Sequence, residues 1–238
     1  MPPARKKPSA LNNEHRLSEL LNGHRLFVIL GPYGSGKTEV AVNLAQRLAA
    51  MGRKTALADL DIVNPYFRSR EKVQLLEEAG IRLIAPPQNT WAADLPAVPA
   101  ALWTIIQDET LTGVLDVGGD KGAIVLAAFS KALNKTRPAV WYVLNQARLS
   151  AQTPEEAARQ LTFIEAQAKL PVTGLISNTH LLSETTKSLV EEGAAFARQV
   201  SAITQLPLVC HGVQSALSHL SFSEPILPLT LVMKRPWE

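Results

Sequence analysis

Gly31-Pro32-Tyr33-Gly34-Ser35-Gly36-Lys37-Thr38 follows an apolar run, Leu26–Leu30, and precedes a stretch in which Val40, Leu44 and Leu48 recur every four residues. The eight residues match G-x-x-x-x-G-K-[ST], a pattern that carries its chemistry only between a strand and a helix. Its glycines let backbone N–H groups curl around phosphates, and the helix that starts there points its positive dipole end at the same anion. Read this way, Gly31, Pro32, Tyr33, Gly34, Ser35, Gly36 and Glu39 line a nucleoside triphosphate site. Lys37 reaches the β- and γ-phosphates, and the Thr38 hydroxyl ligates Mg2+.

The same alternation continues outward. Short aliphatic or β-branched runs at Leu26–Leu30, 55–58, 82–85, 114–117, Ala139–Leu144, 172–177 and 208–210 alternate with helical patterns. Repeated βαβ units of this kind predict an α/β, three-layer αβα domain with a mostly parallel sheet of about seven strands. The helices carry their own punctuation. Gly52 and Gly80 stand at left-handed caps, Asn64-Pro65 is an N-cap with proline after it, and Thr153-Pro154-Glu155-Glu156 is a capping box. A helix from about residue 184 places Leu189, Phe196, Val200 and Ile203 on one stripe. The Pro- and Ala-rich stretch 86–99, with Trp91, reads as a loop leading into a helix that ends near Glu109.

Two further segments supply acids. The second strand ends in Ala58-Asp59-Leu60-Asp61, at the carboxyl edge where α/β sheets bind ligands. Asp59 can support the Mg2+ shell and Asp61 can position or deprotonate a water; alternatively both cap the loop before Asn64-Pro65. The fourth strand ends in Asp116-Val117-Gly118-Gly119. Asp116 resembles a Walker B acid holding a metal-bound water or Thr38, and the Gly119 N–H is placed to sense a γ-phosphate.

Together these residues resemble the CobQ/CobB/MinD/ParA branch of the P-loop NTPases, over roughly Leu26 to His211. The resemblance implies a P-loop NTPase fold with ATP and Mg2+ as cofactors. It also implies a water-activating role for Asp61, an adenine-reading asparagine after a late strand, and a nucleotide-dependent homodimer. Asn178 occupies that late position, with Asn145 as the alternative, or Asn178 is a plain turn residue. No [NT]-K-x-D guanine motif follows a strand, which favours ATP over GTP.

The chain departs from that branch in three places. Its dimeric members often carry an early P-loop lysine that reaches the partner's site, and Pro32 stands there instead. Cys210 lies in the wrong region for a shared iron–sulfur cluster, and 227–238, with Pro228 and Pro236, is no amphipathic membrane helix. Lys121 and Arg148, both at carboxyl strand edges, are the first candidates to supply the missing positive charge as catalytic residues, ahead of Arg68 and Arg70. Tyr66, Phe67 and Arg68 beside Asp61 either meet a second substrate or partner, or pin a helix to the sheet.

Composition narrows the class. With 46% hydrophobic and 19% charged residues among 238, the chain can bury one full core. Residues 1–13 read as a disordered basic leader around Arg5, Lys6 and Lys7, and 14–238 as one domain. A nucleic-acid role for the leader is disfavoured. The single cysteine excludes an intrachain disulfide, and the lack of a long apolar run predicts a cytoplasmic protein without a membrane partner. Three functions fit: a slow ATPase (a hydrolase) switching an unknown protein partner, an ATP-dependent phosphoryl-transfer or ligase-like enzyme on a small acid, as in dethiobiotin synthetase, and a non-hydrolysing nucleotide-binding adaptor, with or without an association with DNA.

Overall fold

The structure, a computed structural model, describes residues 8–60, 73–84, 97–148 and 152–232. Asp61, Asn64-Pro65, the 66–70 cluster, Trp91 and the basic residues 5–7 lie outside them. In chain order the elements are α1 (Pro8–Asn22), β1 (Leu26–Leu30), α2 (Lys37–Ala50), β2 (Thr55–Asp59), α3 (Val73–Glu78), β3 (Arg82–Ile84), α4 (Ala97–Gln107), β4 (Thr112–Asp116), α5 (Gly119–Ala127) and α6 (Ser130–Lys135). There follow β5 (Ala139–Leu144), α7 (Pro154–Ala168), β6 (Gly174–Ser177), α8 (Lys187–Thr204), β7 (Leu208–Gln214) and β8 (Ile226–Leu229).

The strands form one sheet in the order β3-β2-β4-β1-β5-β6-β7-β8, with every pairing parallel. Because side chains alternate across a strand, β1 feeds two cores. Leu26, Val28 and Leu30 pack with Leu102 of α4, Leu126 of α5, Leu161 of α7 and Phe196 of α8. Phe27 and Ile29 pack with Leu21 of α1, Leu44 of α2 and Leu76 of α3. Helices thus cover both faces, and all five residues of β1, β2 and β4 are buried.

The expected caps are present where they are described. Gly52 (φ 81°) and Gly80 (φ 70°) are left-handed, and Gly52 N–H closes on Ala49 O at 2.8 Å. Thr153 and Glu156 make the reciprocal capping box of α7.

Four differences have physical reasons. Among the described residues there are eight strands, the extra one being β8. Its Pro228 reads as a breaker in sequence, but β8 is an edge strand, where a missing N–H can face away from the ladder. The helix α1 takes in residues 8–13 of the expected leader, and Asn13 holds β8 by donating to Ile226 O (3.1 Å) and accepting from Ile226 N–H (2.6 Å). Helix α8 begins at Lys187, capped by Thr186, after a 3-10 turn at Leu182–Glu184. Its buried stripe runs through Val190, Ala194, Ala197 and Val200, leaving Ile203 47% exposed.

Candidate functional site

The P-loop joins the end of β1 to α2. Gly34 (φ 77°) and Gly36 (φ 83°) adopt the left-handed region that side chains disfavour, which folds the chain back so that Ser35 N–H meets Pro32 O at 3.2 Å. Gly36 is the N-cap of α2 and brings no capping side chain, so the first-turn N–H groups can serve an anion. Lys37 is 5% exposed, and its ammonium donates to Pro32 O at 3.4 Å, inside the curl of the loop. Tyr33 is 70% exposed on the outside of the loop. The Glu39 side chain, expected among the nucleotide ligands, is turned elsewhere. Its carboxylate accepts from Val232 N–H at 3.0 and 3.1 Å and anchors the segment after β8; only its backbone belongs to the helix start.

On one side of β1 lie the acids. Asp116 ends β4 and is the register partner of both Ile29 and Asp59, the last residue of β2. Adjacent register partners stand about 4.8 Å apart, so two buried carboxylates lie side by side at the carboxyl edge. Hard oxygen donors in this number suit Mg2+, which takes one or two carboxylates together with substrate phosphates. Among the described residues no group of three or more His, Cys, Asp or Glu could hold a metal by itself. Gly119 (φ 49°) opens α5 directly beyond this edge, and Lys121 is exposed on its first turn.

On the other side, the loops after β5 and β6 grip three consecutive P-loop residues. Asn178, 1% exposed, donates its amide to Ser35 O at 2.8 Å. Arg148 donates Nε–H to Gly34 O at 3.0 Å. His180 packs on Gly36, where an added Cβ would come within 2.9 Å of its Nε2. The two loops are tied together by Gln146 N–H donating to Thr179 Oγ1 at 3.1 Å. Gly193 of α8 lets the helix approach that loop, since a Cβ there would meet Thr179 Cβ at 2.3 Å. Asn145 accepts from Ala147 N–H at 3.1 Å and turns the chain after β5.

His180 is the titratable group of this cluster. Burial, and then the Arg148 charge, pull its pKa down to about 4. With Nδ1 accepting from Leu182 N–H at 3.4 Å, the neutral ring carries its proton on Nε2, facing the loop. Between about pH 6.5 and 4 the unfolded chain binds this proton and the folded chain does not, so His180 lowers stability as pH falls through that window, by up to about 3 kcal/mol. His180→Gln should therefore flatten the acid limb of stability in urea melts at pH 7, 5.5 and 4.5. Parallel acid limbs for variant and parent would contradict this assignment.

Residues 27–190 match the CobQ/CobB/MinD/ParA nucleotide-binding domain profile. The chain belongs to this family. No match was found among curated proteins. Among solved structures the chain is similar to FtsY from Mycoplasma mycoides, at 19% identity and TM-score 0.51 over 80% of this chain and 61% of that one. It is also similar to chloroplast FtsY from Physcomitrella patens, at 18% and 0.54 over 84% and 66%. The signal recognition particle 54 kDa protein of Aeropyrum pernix, solved with GDP, matches at 19% and 0.52 over 87% and 49%. The chain spans less than two thirds of each of these three proteins, and at such identity the likeness is one of fold.

As a member of the CobQ/CobB/MinD/ParA family, this protein is a nucleotide-binding P-loop NTPase-type domain with an αβα fold. The P-loop, Asp59 and Asp116 lie at one carboxyl edge of the sheet, while Asp61 lies outside the described residues. Arg148 does reach the P-loop, but from the side opposite the acids. The cluster's missed member is His180; the only trace of it in sequence is its position right after a strand that lands beside the P-loop. No helix among the described residues is long and apolar enough to cross a membrane.

Proposed function

We propose that this protein binds Mg·ATP and hydrolyses it slowly to ADP and phosphate as a switch for a protein partner, through a nucleotide-dependent homodimer. The observation that carries the reading is the buried Lys37 ammonium held within an uncapped helix start, beside the paired acids Asp59 and Asp116. Thr38, Asp59 and Asp116 would hold the magnesium, which would supply positive charge to offset that of the phosphates. Asp61, two residues beyond Asp59, orients the attacking water and takes its proton. Lys121, at the start of α5 on the same side as the acids, neutralises charge developing on the γ-phosphate.

Adenine is favoured over guanine by the residues after β6. Asn178-Thr179-His180-Leu181 has neither the lysine nor the aspartate of the guanine motif, although the fold neighbour from Aeropyrum pernix was solved with GDP. The test is ADP release from Mg·ATP together with solution mass, for the parent and for Asp61→Ala. The variant should bind ATP nearly as well and turn over on the order of a hundredfold more slowly. Equal hydrolysis by both would remove Asp61 from its role, and binding without turnover by the parent would make the protein an adaptor.

A further inference from the structure

Arg148 divides the site in a way its sequence position does not suggest. The P-loop rises from β1, with β4 on one side and β5 on the other. The acids assigned above to the metal end β4 and β2, so on that reading the terminal phosphate and its cation belong to that side. Arg148 follows β5, and strands flanking a common neighbour are about 10 Å apart. Its Nε–H is fixed to Gly34 O at 3.0 Å, and Cδ, Nε and Cζ all lie within 3.7 Å of the position of a Gly34 Cβ. The side chain is therefore laid across the outer edge of the P-loop on the side of β5 and β6, with the residue still exposed to solvent. A phosphate chain seated with its γ end towards the acids directs its nucleoside end to this same side.

We propose that Arg148 is the platform for the nucleobase: its guanidinium plane, fixed at Nε by Gly34, stacks on the base of the bound nucleotide. The inference rests on the nucleotide reading above and names what the loop after β5 contributes to it. An arginine plane suits this task because it is weakly hydrated, permanently charged and stacks on π systems through its face while its edge keeps a hydrogen bond. Neutral His180 beside it leaves Arg148 as the cation of this cluster without a competing charge on the ring. It also explains why Arg148 does not replace the absent early lysine, since the γ-phosphate belongs to the far side of β1.

The experiment compares Arg148→Ala with the parent by calorimetric binding of Mg·ATP, Mg·ADP and Mg·tripolyphosphate, the last having phosphates and no base. ATP and ADP should weaken by the same factor, on the order of tenfold, with tripolyphosphate unchanged. Arg148→Lys should recover only part of the loss, because an ammonium can meet Gly34 O but presents no plane. A loss for ATP larger than for ADP places Arg148 on the γ-phosphate and overturns the proposal. A loss for tripolyphosphate as well makes it a phosphate contact, and unchanged nucleotide affinity removes it from the site. If the parent binds tripolyphosphate but gains nothing from the nucleoside, the platform fails while the P-loop stands. If it binds neither, the nucleotide reading itself fails.

Discussion

Lys37→Ala should weaken Mg·ATP binding by at least about a hundredfold while leaving the protein folded, as read by calorimetry and circular dichroism. The ammonium is buried, and among the described residues its hydrogen-bond acceptor is Pro32 O, at 3.4 Å. A charge so placed is poorly solvated and gains most from a phosphate oxygen, whereas the variant keeps only the loop's neutral N–H groups. The same reasoning gives a second expectation. Removing the buried ammonium relieves its own desolvation but loses methylene packing and a cation near the buried carboxylates of Asp59 and Asp116, so the melting temperature without nucleotide should fall modestly while the fold persists. The stabilisation that ATP adds by mass action should disappear from the variant. A variant that melts higher with ATP to the same extent as the parent would show that Lys37 is not a phosphate ligand.

How much of this was legible follows from which forces act locally. The P-loop could be read because left-handed residues at 34 and 36 demand glycine and the Lys-Thr pair has a fixed place after them. The fully buried strands β1 and β5 ended where their apolar runs end, since burial on both faces leaves continuous aliphatic stretches between turn residues. Other features depend on where distant elements land. Whether Pro228 breaks a strand depends on β8 being at the edge of the sheet. That Arg148 sits across β1 from the acids is a property of strand order, and its spacing from Leu144 places it only at a carboxyl edge. His180 is marked in the sequence only by its place after a strand; its low pKa comes from burial and from Arg148. Gly193 looks like a weak helix residue until α8 is seen against Thr179.

Asn178 is where local pattern and packing part company, and its replacement is the second large effect. Its place after β6 suggests an adenine reader, yet its amide donates to Ser35 O at 2.8 Å and it is 1% exposed. It is confined from two directions. A Cβ on Gly36 would lie 2.4 Å from its Nδ2, and one on Gly212 would lie 2.8 Å from its Oδ1. A side chain held this closely acts as a brace, fixing the P-loop curve before any ligand arrives, and preorganisation of that kind raises affinity by lowering the ordering cost of binding. Asn178→Ala leaves the Ser35 carbonyl buried without its donor, a loss of about 1–3 kcal/mol that should appear both as a lower melting temperature and as roughly 10- to 100-fold weaker binding. The pattern across ligands decides between the two roles. A brace acts on the loop and not on the base, so ATP, GTP and tripolyphosphate should all weaken together. A base reader would lose ATP alone, with tripolyphosphate untouched and GTP gaining ground relative to ATP. Asn178→Asp sharpens the contrast: its carboxylate keeps the shape but faces the Ser35 carbonyl oxygen with a second acceptor, so it should bind tripolyphosphate worse than the alanine variant does.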